Sequence, residues 1–266
     1  MDYISRYGFT YNPFLKENVK RPVETKEYTE VLTRLNYLKE LKGFGLLTGE
    51  SGLGKTTCIR NFLSTLNQSA YKVIYLPLST LSVTDFYRNM AEALGYEPAY
   101  RKADNFSHIK EAIDKLYLEK KITPLIILDE ANYLPNSTLN DLKILFNFDM
   151  DSSNRAIVLL SGLTTLNRIL NQTIHEPLRQ RIVMNYTIAP LDKTEARSYI
   201  LDKLKQASSY PEVFSSNAIE ALIAATNGVP RLIDKLANAT LLIGAHLGEN
   251  IIQEDAVMKA YEDTMI

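Results

Sequence analysis

The sequence predicts an α/β protein, a parallel sheet covered by helices on both faces, followed by an all-helical unit. Three observations predict it. Short apolar runs alternate with segments of helical periodicity as far as residue 188. One run leads into a glycine-rich loop and another ends in two adjacent carboxylates. Beyond Pro190 the strand signals stop. The 266 residues are enough for one large core and a smaller second unit.

In order along the chain, residues 1–24 are aromatic and irregular, with Pro13 and Pro22. Tyr28, Val31, Leu32, Leu35 and Leu38 recur at helical spacing and predict a helix over 27–42, ended by Gly43 and Gly45. A strand over 44–48, the glycine-rich loop and a helix over 56–66 follow. The next strand spans 72–78, with helices near 83–94 and 106–119. The unbroken apolar run 125–128 reads as a strand buried on both faces. A helix over 137–146 and strands over 156–160 and 182–188 complete the alternation.

The remainder reads as helices. Asp192-x-x-Glu195 has the form of a capping box opening a helix to about residue 206. Ser215 or Ser216 can cap a second helix that stops at Gly228. Pro230 suits the first turn of a third, ending near Gly248, and 253–265 gives a fourth. The expected domains are a core over 1–190, including an N-terminal extension over 1–26, and a helical lid over 191–266.

The stretch Gly49-Glu50-Ser51-Gly52-Leu53-Gly54-Lys55-Thr56 matches G-x-x-x-x-G-K-[ST] at every position. Its glycines let backbone N–H groups turn inward around phosphate oxygens, and the helix that follows presents its positive end to the anion. Lys55 is expected to reach the β- and γ-phosphates of ATP and the Thr56 hydroxyl to ligate Mg²⁺. Gly49 through Thr57 are the expected nucleotide contacts.

Leu125 to Leu128 lead into Asp129 and Glu130. An aspartate at such a strand end holds magnesium, and a glutamate directly after it can orient and polarise an attacking water. Between Lys55 and Asp129 there is room for one strand–helix unit, which fits P-loop ATPases with an additional strand between the two motif strands.

Three further features are candidates. Ser161 follows an apolar strand and could sit beside the γ-phosphate, or be a turn serine before Gly162. Arg179 and Arg181 precede the last strand, and an arginine there can reach a neighbouring subunit's site; Arg181 is preferred because it abuts the strand. Arg231 lies in the first turn of a helix, where a cation opposes the helix dipole by roughly 0.3–1 kcal/mol unless an anion offsets it.

Composition excludes several classes. A net charge of −1 provides no global field for nucleic acid, so DNA binding has to use local patches or an array of subunits. One cysteine, Cys58, excludes an internal disulfide or a cysteine zinc cluster, and its helical setting reads as packing. His108, His175 and His246 lack metal-ligand spacing. No apolar stretch approaches the ~18 residues of a membrane span, and the N-terminus lacks a signal-peptide pattern, so a cytoplasmic, membrane-free protein is expected.

The segments GESGLGKT, LIILDEA, LRQRI, GVPRLI and the opening YGFTYNPF together resemble the ExeA-like branch of the AAA+ ATPases. They resemble more closely the ATPases encoded beside transposases, akin to the MuB and TnsC transposition regulators. The resemblance covers nearly the whole chain. It implies a Mg²⁺- and ATP-dependent homo-oligomer, a ring or a filament, that binds double-stranded DNA and engages a transposase or integrase. It assigns Ser161 or its neighbourhood to sensor 1, Arg181 to the arginine finger and Arg231 to sensor 2, and it suggests that the segment around Tyr11, Pro13 and Phe14 packs near the adenine.

One departure stands out: relatives carry Gly-Gln where this chain has Gly162-Leu163. A leucine side chain cannot hydrogen-bond phosphate or water, which leaves two alternatives: Ser161 substitutes for it, or hydrolysis is slow and switch-like. By alignment with TnsC-like proteins, Thr80 and Thr84 in a hydroxyl-rich loop, with Arg101 and Lys102, face the DNA. The alternatives are a secretion-assembly ATPase of the ExeA type, expected to carry a membrane segment and an envelope-binding domain, and a nucleotide-gated adaptor with little hydrolysis. A replication initiator is expected to add a winged helix.

Overall fold

The computed structural model describes residues 3–18, 21–77, 81–208 and 212–264. The chain divides into two compact units. An α/β unit holds residues 30–51 and 55–188; a helical unit holds 1–29, 52–54 and 189–266.

The α/β unit is built on five strands: β1 (Gly43–Gly49), β2 (Tyr71–Pro77), β3 (Thr123–Asp129), β4 (Ile157–Gly162) and β5 (Ile182–Ile188). All pair in parallel, in the order β2-β3-β4-β1-β5. Each lies within two residues of its expected bounds. Parallel neighbours need crossovers, which the helices supply. Alternation along the strands sorts the core onto two faces. Leu46, Ile126, Leu128, Val158 and Leu160 join the cluster formed with helices Val83–Leu94, Lys102–Asp114 and Asn136–Leu145. Leu125, Ile127, Ile157 and Leu159 meet Leu35, Leu38 and Phe62 on the other face. The strand that lies between the two motif strands in sequence, β2, is at the sheet edge; in space it is β4 that separates β1 from β3.

The helical unit contains helices Lys193–Ala207, Ser216–Thr226, Pro230–Leu247 and Glu254–Thr264. Asp192 and Glu195 form the expected capping box, and the Ser215 hydroxyl accepts from Ala218 N–H. Each such cap contributes about 1 kcal/mol. The N-terminal segment, expected to extend the core, belongs here instead. Tyr7, Phe9 and Phe14 are buried among the helices' apolar residues. Thr10 donates to the carbonyl of Ala207 through its N–H (2.9 Å) and its hydroxyl (3.0 Å), and the Tyr11 hydroxyl donates to Gln206 O at 3.1 Å. Arg6 donates to the carbonyls of Gly248 and Glu249. The segment thereby satisfies carbonyls that two helix ends leave without intrahelical partners.

A buried polar cluster ties two of these helices together. Lys203 Nζ donates to both carboxylate oxygens of Asp234 at 2.7 Å, and the Tyr199 hydroxyl donates to the same carboxylate at 3.1 Å. The Lys203 ammonium also lies 5.7 Å from the Phe14 ring centroid.

Candidate nucleotide site

The phosphate loop joins β1 to helix Lys55–Ser64. Gly52 (φ +87°) and Gly54 (φ +95°) both take left-handed backbone. A Cβ at Gly54 would meet nothing within 4 Å, so open space lies beside the loop at this point. Lys55 is buried, and its ammonium donates back to the carbonyls of Gly49 (2.7 Å) and Glu50 (3.0 Å). The Leu53 side chain is buried, while Glu50, Ser51 and Thr56 are exposed.

The acidic strand end comes directly to this loop. Thr56 Oγ1 donates to Asp129 Oδ2 at 3.2 Å. A second donor, not singled out from the sequence, reaches the same oxygen: the Tyr75 hydroxyl on edge strand β2, at 2.8 Å. Burial pushes the Tyr75 phenol up to about 12, assisted by its bond to Asp129 and the charges of Asp129 and Glu130. It therefore remains a donor at neutral pH. Glu130 follows in left-handed backbone (φ 58°), and its N–H donates to Asp129 Oδ1 at 3.1 Å. A hydroxyl, a carboxylate and a lysine beside an anion-binding loop are hard oxygen and cationic groups, the set that suits a magnesium–triphosphate complex.

Between these motifs, β4 ends in a polar cluster. Ser161 is fully buried and its hydroxyl has no partner among the described residues. Buried hydroxyls are rarely left so, and a group bound at the strand ends would satisfy it. Leu163 N–H donates to Asn132 Oδ1 at 2.9 Å, and the Thr164 hydroxyl donates to Glu50. Asn167 Nδ2 donates to the hydroxyls of Thr48 (2.8 Å) and Thr187 (3.2 Å).

The arginines fall out differently from the expectation. Arg181 is 14% exposed and bound within its own subunit, paired with Asp151 at 2.5 Å and donating to Lys143 O at 2.8 Å. These two partners within the chain hold it, so it does not project as expected of a finger. Arg179, on the short helix Glu176–Arg179, is exposed and donates to Asn171 O at 3.2 Å. Arg231 lies in the first turn of its helix, and its N–H donates to Gly52 O at 3.2 Å, both within the helical unit. Phe14 is 3% exposed, edge-on to Phe214 at 6.3 Å, and Pro13 is buried beside it. Neither offers a face to a base; they serve the helical core.

The expected DNA contacts also change. Thr80 lies outside the described residues. Ser82 caps helix Val83–Leu94 and Thr84 sits exposed in its first turn, so this is a helix start and not a loop. Lys102 pairs with Asp141 and lies 5.0 Å from the Tyr87 ring centroid, whereas Arg101 is exposed. His175 has a structural place that its sequence setting did not reveal. Fully buried, its ring nitrogens lie 2.9 Å from Asn140 Oδ1 and 3.0 Å from Asn136 Oδ1. It fastens the turn before Arg179 to the helix that follows Glu130. Cys58 is buried, as expected. No metal-binding cluster of His, Cys, Asp and Glu exists among the described residues, and none of their helices is long and apolar enough to cross a membrane.

Comparisons with known proteins agree with this architecture. General secretion pathway protein A of Aeromonas hydrophila is 28% identical over 98% of this chain, which spans 48% of that protein's length. The ATP-dependent target DNA activator B of Escherichia phage D108 is 22% identical over 91% of this chain and 73% of its own. Identity is thus higher with the secretion protein than with the DNA activator, the reverse of the order the motifs suggest. The crystal structure of Cdc6p from Pyrobaculum aerophilum superposes with a TM-score of 0.74 at 17% identity, over 98% of this chain and 71% of that one. The AAA domain family matches residues 38–170, half of the sequence, spanning the phosphate loop, the acidic strand end and β4. The chain belongs to the AAA domain family of ATPases.

Proposed function

We propose that the chain binds Mg·ATP, assembles with copies of itself on double-stranded DNA, and hydrolyses ATP slowly as a switch that engages a transposase. The observation that carries the nucleotide reading is the meeting of Thr56 with Asp129 at 3.2 Å, next to Glu130 and the phosphate loop. Thr56 and Asp129 would hold magnesium, which supplies positive charge to the phosphate oxygens when bound. Lys55 trades its loop carbonyls for the β- and γ-phosphates. Glu130 orients a water and accepts its proton. Hydrolysis then needs mainly positioning and charge neutralisation. The likeness to the phage protein, whose name includes target DNA, supports the DNA assembly, with exposed Arg101 as a phosphate contact. The transposase partner rests on the motif resemblance.

A second reading, assembly of a secretion apparatus, is favoured by the likeness to the Aeromonas protein. Calorimetry with Mg·ATP and electron microscopy with duplex DNA and a non-hydrolysable analogue test both. Glu130→Gln is expected to bind ATP, lose turnover by about 100-fold or more, and stay assembled on DNA. ATP binding and turnover that ignore DNA entirely would favour secretion; no heat with Mg·ATP would remove the nucleotide reading.

A further inference from the structure

The orientation of the Asn132 side chain follows from hydrogen-bond chemistry. Leu163 N–H can only donate, so the atom it meets at 2.9 Å is the amide oxygen, and the NH₂ group faces away. Gly162 permits the approach. A Cβ there would lie 2.5 Å from Asn132 Oδ1 and 3.3 Å from its backbone nitrogen, so any side chain would expel it.

Sheet register locates the group. Gly162 pairs with Thr48, directly before the phosphate loop, and Leu160 pairs with Leu128, directly before Asp129. Asn132 thus rests on the carboxyl end of β4, between β1 and β3 and two residues past Glu130. This is where parallel sheets bind ligands. Asn132 is half-buried, and its Nδ2 donates to nothing among the described residues. Its polar neighbours are committed elsewhere: Thr164 to Glu50, and Asn167 to Thr48 and Thr187. Leu163 offers no side-chain donor.

We propose that Asn132 is a catalytic residue whose Nδ2 donates to a non-bridging γ-phosphate oxygen during hydrolysis. The proposal rests on the reading of this site as an ATPase. Water oxygen bonds to the γ-phosphorus as the bond to the β,γ-bridging oxygen breaks. That oxygen leaves on ADP with the electron pair, and Glu130 takes the water's proton and returns it to phosphate. Asn132 stabilises the charge that redistributes over the γ-oxygens.

Asn132→Asp separates the two ends of the amide, because it keeps an oxygen for Leu163 N–H and loses the donor. It is expected to melt with the wild type, to lose about 100-fold in kcat, and to lose its preference for ATP over ADP by about 10-fold in Kd ratio, as a carboxylate would face the γ-phosphate. Asn132→Ala is expected to lose kcat equally and to melt lower. If Asn132→Asp matches the wild type in both turnover and ATP-to-ADP affinity ratio, the proposal is overturned and Asn132 is a turn-holding residue. A wild type without turnover would instead defeat the ATPase reading, and the affinity ratio measured by calorimetry would still decide the contact.

Discussion

Asp234→Ala removes the acceptor of two groups at once, the Tyr199 hydroxyl and the Lys203 ammonium, and leaves the ammonium, with its side chain 6% exposed, without a counter-charge. Burial already lowers the lysine pKa and raises that of the aspartate, so the pair stands against a real desolvation cost that only mutual contact offsets. Breaking such a pair from one side costs about 3–5 kcal/mol. For the helical unit this corresponds to a fall in Tm on the order of 15 °C. Lys203→Met is expected to cost less, about 1–2 kcal/mol, since Asp234 keeps the Tyr199 donor and can take up a proton. The double variant Lys203→Met/Asp234→Leu, which removes both charges, is expected to lie near wild type. Urea unfolding followed by circular dichroism, run on these proteins and on Asp234→Leu to close the cycle, gives the coupling energy. If Asp234→Ala unfolds within about 1 kcal/mol of wild type, or the double variant is as unstable as the two single costs summed, the buried pair does not hold these helices.

His175 gives a pH dependence of definite sign. Burial lowers its pKa in the fold, so the unfolded chain binds more protons in that window. The contribution is fully present above about pH 6.5 and is lost as pH falls through the folded value. His175→Gln is expected to flatten the change in urea midpoint between about pH 7.5 and 5.0, and parallel curves would refute this. Arg179→Ala is expected to lower ATP turnover by about 10³-fold without a change in Tm, while Arg181→Ala lowers Tm through loss of Asp151 and Lys143 O; the reverse pattern would restore Arg181 as the finger. In fluorescence anisotropy, Arg101→Glu is expected to weaken duplex binding and reduce the salt slope by about one. Lys102→Glu is expected to do less, and equal losses would show that the Asp141 pair opens on DNA.

The legible parts of the molecule were those governed by local rules. Strand runs, the loop glycines, the Asp192 box and the Ser215 cap are short-range patterns whose physics acts within a few residues. The meeting of Thr56 with Asp129 was legible because a triphosphate and its cation require those types after a glycine-rich loop and at a strand end. What could not be read depends on partners far along the chain. Nothing near Arg181 announces Asp151 or Lys143 O, and nothing near Asn132 announces a glycine at 162. The aromatic opening invited a stacking role, but only the tertiary packing shows Phe14 used inside the helical unit. A glycine before Leu163, read with the polar residue two positions past Glu130, is the signal that could have pointed to Asn132.

The clasp made by Arg6 and Thr10 has a bearing on how the protein is made. Thr10 meets Ala207 across 197 positions, and Arg6 meets Glu249 across 243. In synthesis these residues precede their partners by those same 197 and 243 positions. The α/β unit, drawn from 30–51 and 55–188, can close meanwhile. Tyr7, Phe9 and Phe14 must wait unsheltered until helices Lys193–Ala207 and Pro230–Leu247 have been made. This aromatic segment is therefore where a nascent-chain chaperone would take hold, and its docking onto those helices is a late step of folding.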